Sequence, residues 1–259
     1  MYAASEAAVQ TTTSVVRNWR ICFILASLLC APALKADEPP RDLIQRIVAR
    51  ETQTAQEQSN YMYRQSVTIE ELTERGSRLG QYREIRDIIF SPAQERTEQM
   101  VGKPSSTLSR LKLTEEDFRD IREVQPFLLT RDERFLYDTT YRGEETVDNV
   151  DCFVVQVRPR QILQGQRLFD GMVWVAKTDY SIIRSEGQAV PQIVTSKNEN
   201  LFPRFTTLRR KVEGGFWFPD TTYADDTLDF RGGPQRIRLT IRYSDYRKFG
   251  ADSKITFEK

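Results

Sequence analysis

The sequence predicts an α+β, mostly β fold: a curled antiparallel half-barrel of roughly ten strands with helices over its concave face. Three observations predict it. From Arg134 onward nearly every segment reads as a strand, broken at close to regular intervals by turn signals. No strand–helix–strand alternation occurs, so successive strands joined by short turns must be antiparallel. Two isolated helical patterns, within residues 37–60 and 113–129, each carry one apolar stripe that needs a surface to cover.

The elements follow in order. In "DEPPRDLIQRIVARETQTAQEQSN", Pro39 and Pro40 suit a helix start, and Leu43, Ile44, Ile47 and Val48 recur at helical spacing. "YMYRQSVTIEEL" alternates apolar and polar residues, and with "GQYREIRDIIFS" it reads as a hairpin turning at Gly76–Gly80. The stretch from Gln94 to Gly102 continues the sheet. In "LTEEDFRDIREVQPFLL", Thr114 is an N-cap followed by acidic residues that favour a helix start. Phe118, Ile121 and Val124 form its apolar face, and Pro126 ends it.

Seven further strands follow, with breaks at Asp148-Asn149, Lys177–Tyr180, Gly214-Gly215 and Gly232-Gly233-Pro234. Ile237, Leu239, Ile241 and Tyr243 share one face of the last strand; Arg236, Arg238, Thr240 and Arg242 share the other. In "GMVWVAKTDYSIIRSEGQ", residues 171–188, both faces are apolar: Met172, Trp174 and Ala176 on one, Val173 and Val175 on the other. Part of the sheet is therefore wet outside, while its middle is covered more fully.

Composition narrows the function classes. The chain has 259 residues, 39% hydrophobic and 29% charged, with a formal net charge of +1. No global field favours nucleic acid, and the tight basic run Arg209-Arg210-Lys211 reads as a solvated strand end. There is no histidine, which removes most zinc sites and histidine-based acid–base chemistry. Residues 1–36 read as a secretory signal: Arg17 and Arg20 precede the apolar run "ICFILASLLCAPALKA", with cleavage near Ala33 or Ala36. The alternative is an uncleaved N-terminal membrane anchor. Cleavage would take Cys22 and Cys30 away and leave Cys152, which reads as a buried, inert thiol. The single domain expected after it spans residues 37–259, and its localisation is the periplasm.

The hairpin over 171–188 resembles one of the outer-membrane lipoprotein-sorting (LolA-like) family of exported bacterial proteins: a glycine, an apolar strand carrying Trp174, a turn near Asp179, then Ile182, Ile183 and Arg184. "ENLFPRFTTLRRKVEGGFWFPDTTYADDTL" is similar to that family's next hairpin, with Phe216-Trp217-Phe218-Pro219 opening the return strand. The family's arginine–proline segment, whose arginine helps lock the lid over an empty cavity, has no match in the sequence. The resemblance implies a carrier that shelters lipid or lipoprotein acyl chains, with a membrane-associated donor or acceptor protein as partner. It implies no reaction and no cofactor.

Residues expected to line the cavity are Met172, Trp174, Phe153, Val155, Leu239 and Ile241. Those expected on the lid helices are Leu43, Ile47, Phe118 and Ile121. A sensor or interaction module on the same fold is the alternative. A hydrolase built on paired carboxylates such as Glu70-Glu71 or Glu115–Asp117 is the third reading. Asp220, Asp225, Asp226 and Asp229 read as solvated strand residues, because no glycine bend gathers them for calcium.

Overall fold

The computed structural model describes residues 38–91, 95–194 and 199–249, all within one compact unit. The expected leader, with Arg17, Arg20, Cys22, Cys30 and the cleavage positions, lies outside the described residues. Helix α1 spans Leu43–Gln58. It is followed by β1 (Tyr61–Leu72), β2 (Arg78–Phe90), β3 (Arg96–Met100) and the short β4 (Ser105–Ser106). Helix α2 (Glu115–Arg119) runs into a π-helical turn, Asp120–Val124. Then come β5 (Tyr137–Val147), β6 (Val150–Pro159), β7 (Leu168–Ala176) and β8 (Ile182–Val190). A small hairpin, β9 (Ile193–Val194) with β10 (Glu199–Asn200), precedes β11 (Phe205–Lys211), β12 (Trp217–Phe230) and β13 (Gly233–Lys248).

Eleven strands form one open antiparallel sheet, in the order β3-β2-β1-β13-β12-β11-β8-β7-β6-β5, with β4 paired to β2. Two meanders are thus stitched together where β1 pairs with β13, from Tyr61↔Lys248 to Leu72↔Arg236. The turns fall where the sequence places them. Asp148 and Asn149 both adopt positive φ, 50° and 64°, which the β5–β6 hairpin requires.

One sheet face and both helical segments bury a single core. α1 contributes Leu43, Ile47 and Val48; the sheet contributes Val67, Ile69, Val155, Val173, Val175, Leu239 and Ile241; the π turn contributes Ile121 and Val124. The alternation expected for β13 is present, with Ile237, Leu239, Ile241 and Tyr243 all buried. The second helix departs from expectation. It does not run on as one α-helix to Pro126, but widens into the π turn after Arg119.

The opposite face of β6 and β7 is dry because a separate cluster forms there. Cys152, Val154, Trp174, Ala176 and Ile183 pack together, with Met172 and Trp217 against them. The Trp174 indole N–H donates to the Glu145 carboxylate at 2.8 Å, and the Arg184 guanidinium lies 4.4 Å over the ring. This corrects the expectation for Met172 and Trp174, which lie on the face away from the helices. Periodicity shows that both faces are apolar, but not which face the helices cover. Trp174→Ala is therefore expected to lower stability by about 2–4 kcal/mol through lost burial. Acyl-probe uptake should persist in that variant, and a denaturant melt beside a binding titration checks both.

One close approach explains the glycine that opens this hairpin. Gly171 pairs with Gly187 across β7 and β8. A Cβ on Gly171 would stand 2.6 Å from the Phe169 ring, and one on Gly187 would stand 2.7 Å from it. The ring lies across both backbones and stacks on Phe127, centroids 4.5 Å apart. Phe127 belongs to the chain that leaves the π turn, so the glycine pair helps seat that segment.

Candidate functional site

The α2 segment and the sheet enclose a small apolar hollow of ≈ 40 Å³. Its floor is Ile69, Ala189, Phe205, Leu228, Ile237 and Leu239 from the sheet. Its roof is Asp117, Asp120, Ile121 and Gln125, and its sides are Leu111, Leu113 and Leu201–Pro203. Ile121 and Leu239 thus meet at this hollow. Phe118 packs beside it on Tyr82, centroids 5.9 Å apart. Phe153, Val155, Ile241, Leu43 and Ile47 share the helix-covered core but do not line the hollow.

Local sequence explains how the roof is held. The Asp117 carboxylate accepts the Thr114 backbone N–H at 2.7 Å and its hydroxyl at 3.0 Å, fixing the start of α2. Asn200 donates to Thr114 Oγ1 at 2.5 Å. Burial pushes the Asp117 carboxyl up against these bonds.

The roof is clamped by a buried ion pair. Arg167, just before β7, donates through Nε and Nη2 to both oxygens of Asp120, at 3.0 and 2.7 Å. Both side chains are almost completely buried. Arg167 also donates to the Pro191 carbonyl and lies 3.8 Å over the Phe202 ring. One guanidinium therefore ties the π turn, the end of β8 and the 201–203 segment together. Burial pushes the Asp120 carboxyl up to about 6, and Arg167 beside it pulls the other way.

A second buried pair bolts α1. Its stripe continues past Val48 into Glu51 and Thr54, both buried. Glu51 accepts from Arg209 at 2.9 Å and from the Ile182 backbone N–H at 3.0 Å. Arg209 donates further to the Ile182 and Phe127 carbonyls. This corrects the reading of the basic run: Arg209 points inward on β11, while Arg210 and Lys211 face out against Asp220 and Trp217.

The paired carboxylates have structural partners. Glu71 is buried and accepts the backbone N–H groups of Ser109, Arg110 and Leu111. Burial opposes its charged form, but these bonds outweigh it and hold the carboxyl below its ordinary range. A depressed native pKa stabilises the fold above the unfolded value. That contribution is lost as pH falls through the native value. Glu71→Gln is expected to cost about 1–3 kcal/mol at neutral pH. It should also flatten the acid limb of the stability curve below the unfolded value of ~4.3, as acid titration of the two proteins by circular dichroism will show. Asp225 lies between Arg236 and Arg238, and Asp226 accepts the Arg204 backbone N–H. Burial pushes the Cys152 thiol up to about 11, as an inert buried cysteine requires. No group of His, Cys, Asp or Glu among the described residues is arranged to hold a metal ion.

No family model matches the chain, and no curated protein matches its sequence. It is similar to the solved structure of a DUF1329 family protein from Desulfovibrio piger, at 16% identity and a TM-score of 0.41, over 83% of this chain and 96% of that one. It is also similar to a putative outer membrane lipoprotein-sorting protein domain from Vibrio parahaemolyticus, at 12% identity and 0.40, over 81% and 94%. A LolA superfamily protein from Nitrosomonas europaea is similar at 13% identity and 0.35, over 78% and 94%. These solved structures are thus a DUF1329 family protein and two domains named for lipoprotein sorting or the LolA superfamily.

Proposed function

We propose that the chain is an exported, periplasmic carrier or binding protein that shelters the acyl chains of a lipid or lipoprotein, without catalysis. The observation that carries this reading is the apolar hollow beneath a short helical roof held by one buried clamp. At ≈ 40 Å³ the hollow is too narrow for an acyl chain. Ligand pockets for molecules of drug size begin near about 300 Å³, so uptake requires the α2 segment to move. Its construction suits that motion: five α-helical residues, a π turn, and the Arg167–Asp120 pair. Each methylene sheltered from water then contributes about 0.8 kcal/mol. Titration with a fluorescent fatty acid tests the reading. Saturable binding at one site, displaced by unlabelled lipid, is expected; no binding to delipidated protein would overturn it.

The alternative, an interaction module that accepts a partner protein, is favoured by a different surface. The edge strand β5 is preceded by Phe135, 67% exposed, and the β6–β7 connection carries Leu163, 54% exposed. Crosslinking in cells distinguishes the two readings by recovering a protein partner or a lipid. Of the carboxylates on the hollow, Asp117 caps α2 and Asp120 pairs with Arg167; both sit on the roof, so they do not form a pair acting across the hollow.

A further inference from the structure

The apolar hollow has two neighbouring hollows. Leu111 lines it and also lines a second hollow of ≈ 230 Å³, with Arg110, Lys112, Glu199 and Gln235. Arg110 in turn lines a third, open hollow of ≈ 600 Å³, with Arg75 and Arg236. The three hollows thus adjoin along Arg110 and Leu111, with apolar walls at one end and Arg75, Arg110, Lys112 and Arg236 around the mouth at the other, although the whole chain carries a net charge of only +1.

The charges at the mouth are not all neutralised. Arg236 is held by Asp225 at 2.8 Å. Glu199 keeps its charge, since its carboxylate accepts only the neutral Arg231 backbone N–H, at 3.2 and 3.0 Å. Glu74 is the remaining acid on the rim. Arg75, Arg110 and Lys112 are exposed, and among the described residues their side chains have no partner.

The mouth is also built. Glu71 pins the backbone at Ser109, Arg110 and Leu111, which fixes the segment presenting Arg110 and Lys112. That segment passes so close to Gly80 that a Cβ there would stand 2.5 Å from the Thr107 carbonyl. One buried acceptor beside the basic residues has no donor, Gln235 Oε1 at the second hollow. Buried acceptors normally have a partner, and a headgroup hydroxyl supplies one.

We propose that the hollow and this basic mouth hold one amphiphile with a glycerophosphate-type headgroup. Its phosphate sits against Arg75, Arg110 and Lys112, and its chain lies between α2 and the sheet. The inference rests on the acyl-binding reading above and names the ligand class for the same site. The same headgroup chemistry also occurs in soluble phosphoesters, so the test separates the two sources.

Calorimetric titration of the delipidated full chain uses four probes: dihexanoyl phosphatidylglycerol, dihexanoyl phosphatidylcholine, dihexanoylglycerol and glycerol 1-phosphate. Phosphatidylglycerol is expected to bind about tenfold more tightly than dihexanoylglycerol, through charge-assisted bonds. Phosphatidylcholine should fall between them, and the preference should shrink with added salt. The triple variant Arg75→Ala/Arg110→Ala/Lys112→Ala, changed only at exposed side chains, should bind the anionic and neutral lipids alike. Glycerol 1-phosphate binding as tightly as the lipid keeps the anion site and assigns a soluble phosphoester to it; about tenfold weaker binding assigns the lipid. Equal binding of anionic and neutral lipid by the unaltered protein, or a preference that survives in the triple variant, overturns this inference alone. Failure of every lipid to bind overturns the reading of the hollow itself.

Discussion

Arg167→Met is expected to release the roof of the hollow and to lower stability by about 3–5 kcal/mol, because it leaves the Asp120 carboxylate buried without its cation. For a domain of this size each kcal/mol moves the melting temperature by about 2–4 °C. The single guanidinium also holds the Pro191 carbonyl and the Phe202 ring, so three segments around the hollow loosen together. The functional effect should have the opposite sign to the stability effect. A closed roof reduces apparent affinity by the fraction of molecules that are open. The variant should therefore take up a fluorescent fatty acid faster and bind it more tightly. Arg167→Met/Asp120→Leu supplies the control. An apolar pair of similar volume removes the stranded charge, so stability should return while the roof stays closed. Thermal melts and stopped-flow uptake on the three proteins check the pattern. Slower uptake in the single variant would show that Arg167 shapes the open site rather than holding it shut.

Arg209→Met should destabilise by a similar amount, about 3–5 kcal/mol, without changing uptake in the same way. Glu51 would keep the Ile182 backbone N–H but lose its cation at a completely buried position. The expected consequence is loss of α1 from the sheet. Hydrogen exchange should accelerate across Leu43–Gln58, because that helix docks through Leu43, Ile47, Val48 and this ion pair. The hollow is lined by the α2 segment and not by α1, so acyl uptake by the folded fraction should stay near that of the unaltered protein. Glu51→Leu/Arg209→Met should recover most of the stability. The two arginines thus separate a bolt from a latch: one fixes α1 to the sheet, and in the proposed carrier the other holds a roof that opens.

Much of the sheet is legible in the sequence, because its signals are local. Period-two alternation in β1 and β13 and the Asp148-Asn149 turn each have a short-range cause, and the strands fall where those causes put them. The apolar stripes of both helices are legible for the same reason, since Leu43, Ile47, Ile121 and Val124 recur at helical spacing. What escapes is the identity of faces. A strand apolar on both sides, such as β7, does not say which side the helices cover, so Trp174 and Met172 were expected in the cavity and lie against the opposite cluster.

The clamps escape for a second reason. A buried ion pair joins residues far apart in the chain, and each half alone resembles an ordinary surface charge. Arg209 sits in a basic run, and Arg167 follows a polar turn. One signal was available. Glu51 falls four residues after Ile47 and Asp120 one residue before Ile121, so both occupy or border apolar stripes. An acid in such a place calls for a cation on the facing element, yet nothing local says which one. Glu71 belongs to the same class, since its partners are three backbone N–H groups of a distant loop.

Native mass spectrometry of the protein taken directly from the periplasm tests the acyl-shelter account most directly. The account predicts a population heavier than the bare chain by the mass of one lipid, lost on delipidation and restored by adding lipid back. A spectrum showing only the bare chain, before and after incubation with lipid, in the unaltered protein and in Arg167→Met alike, would contradict it.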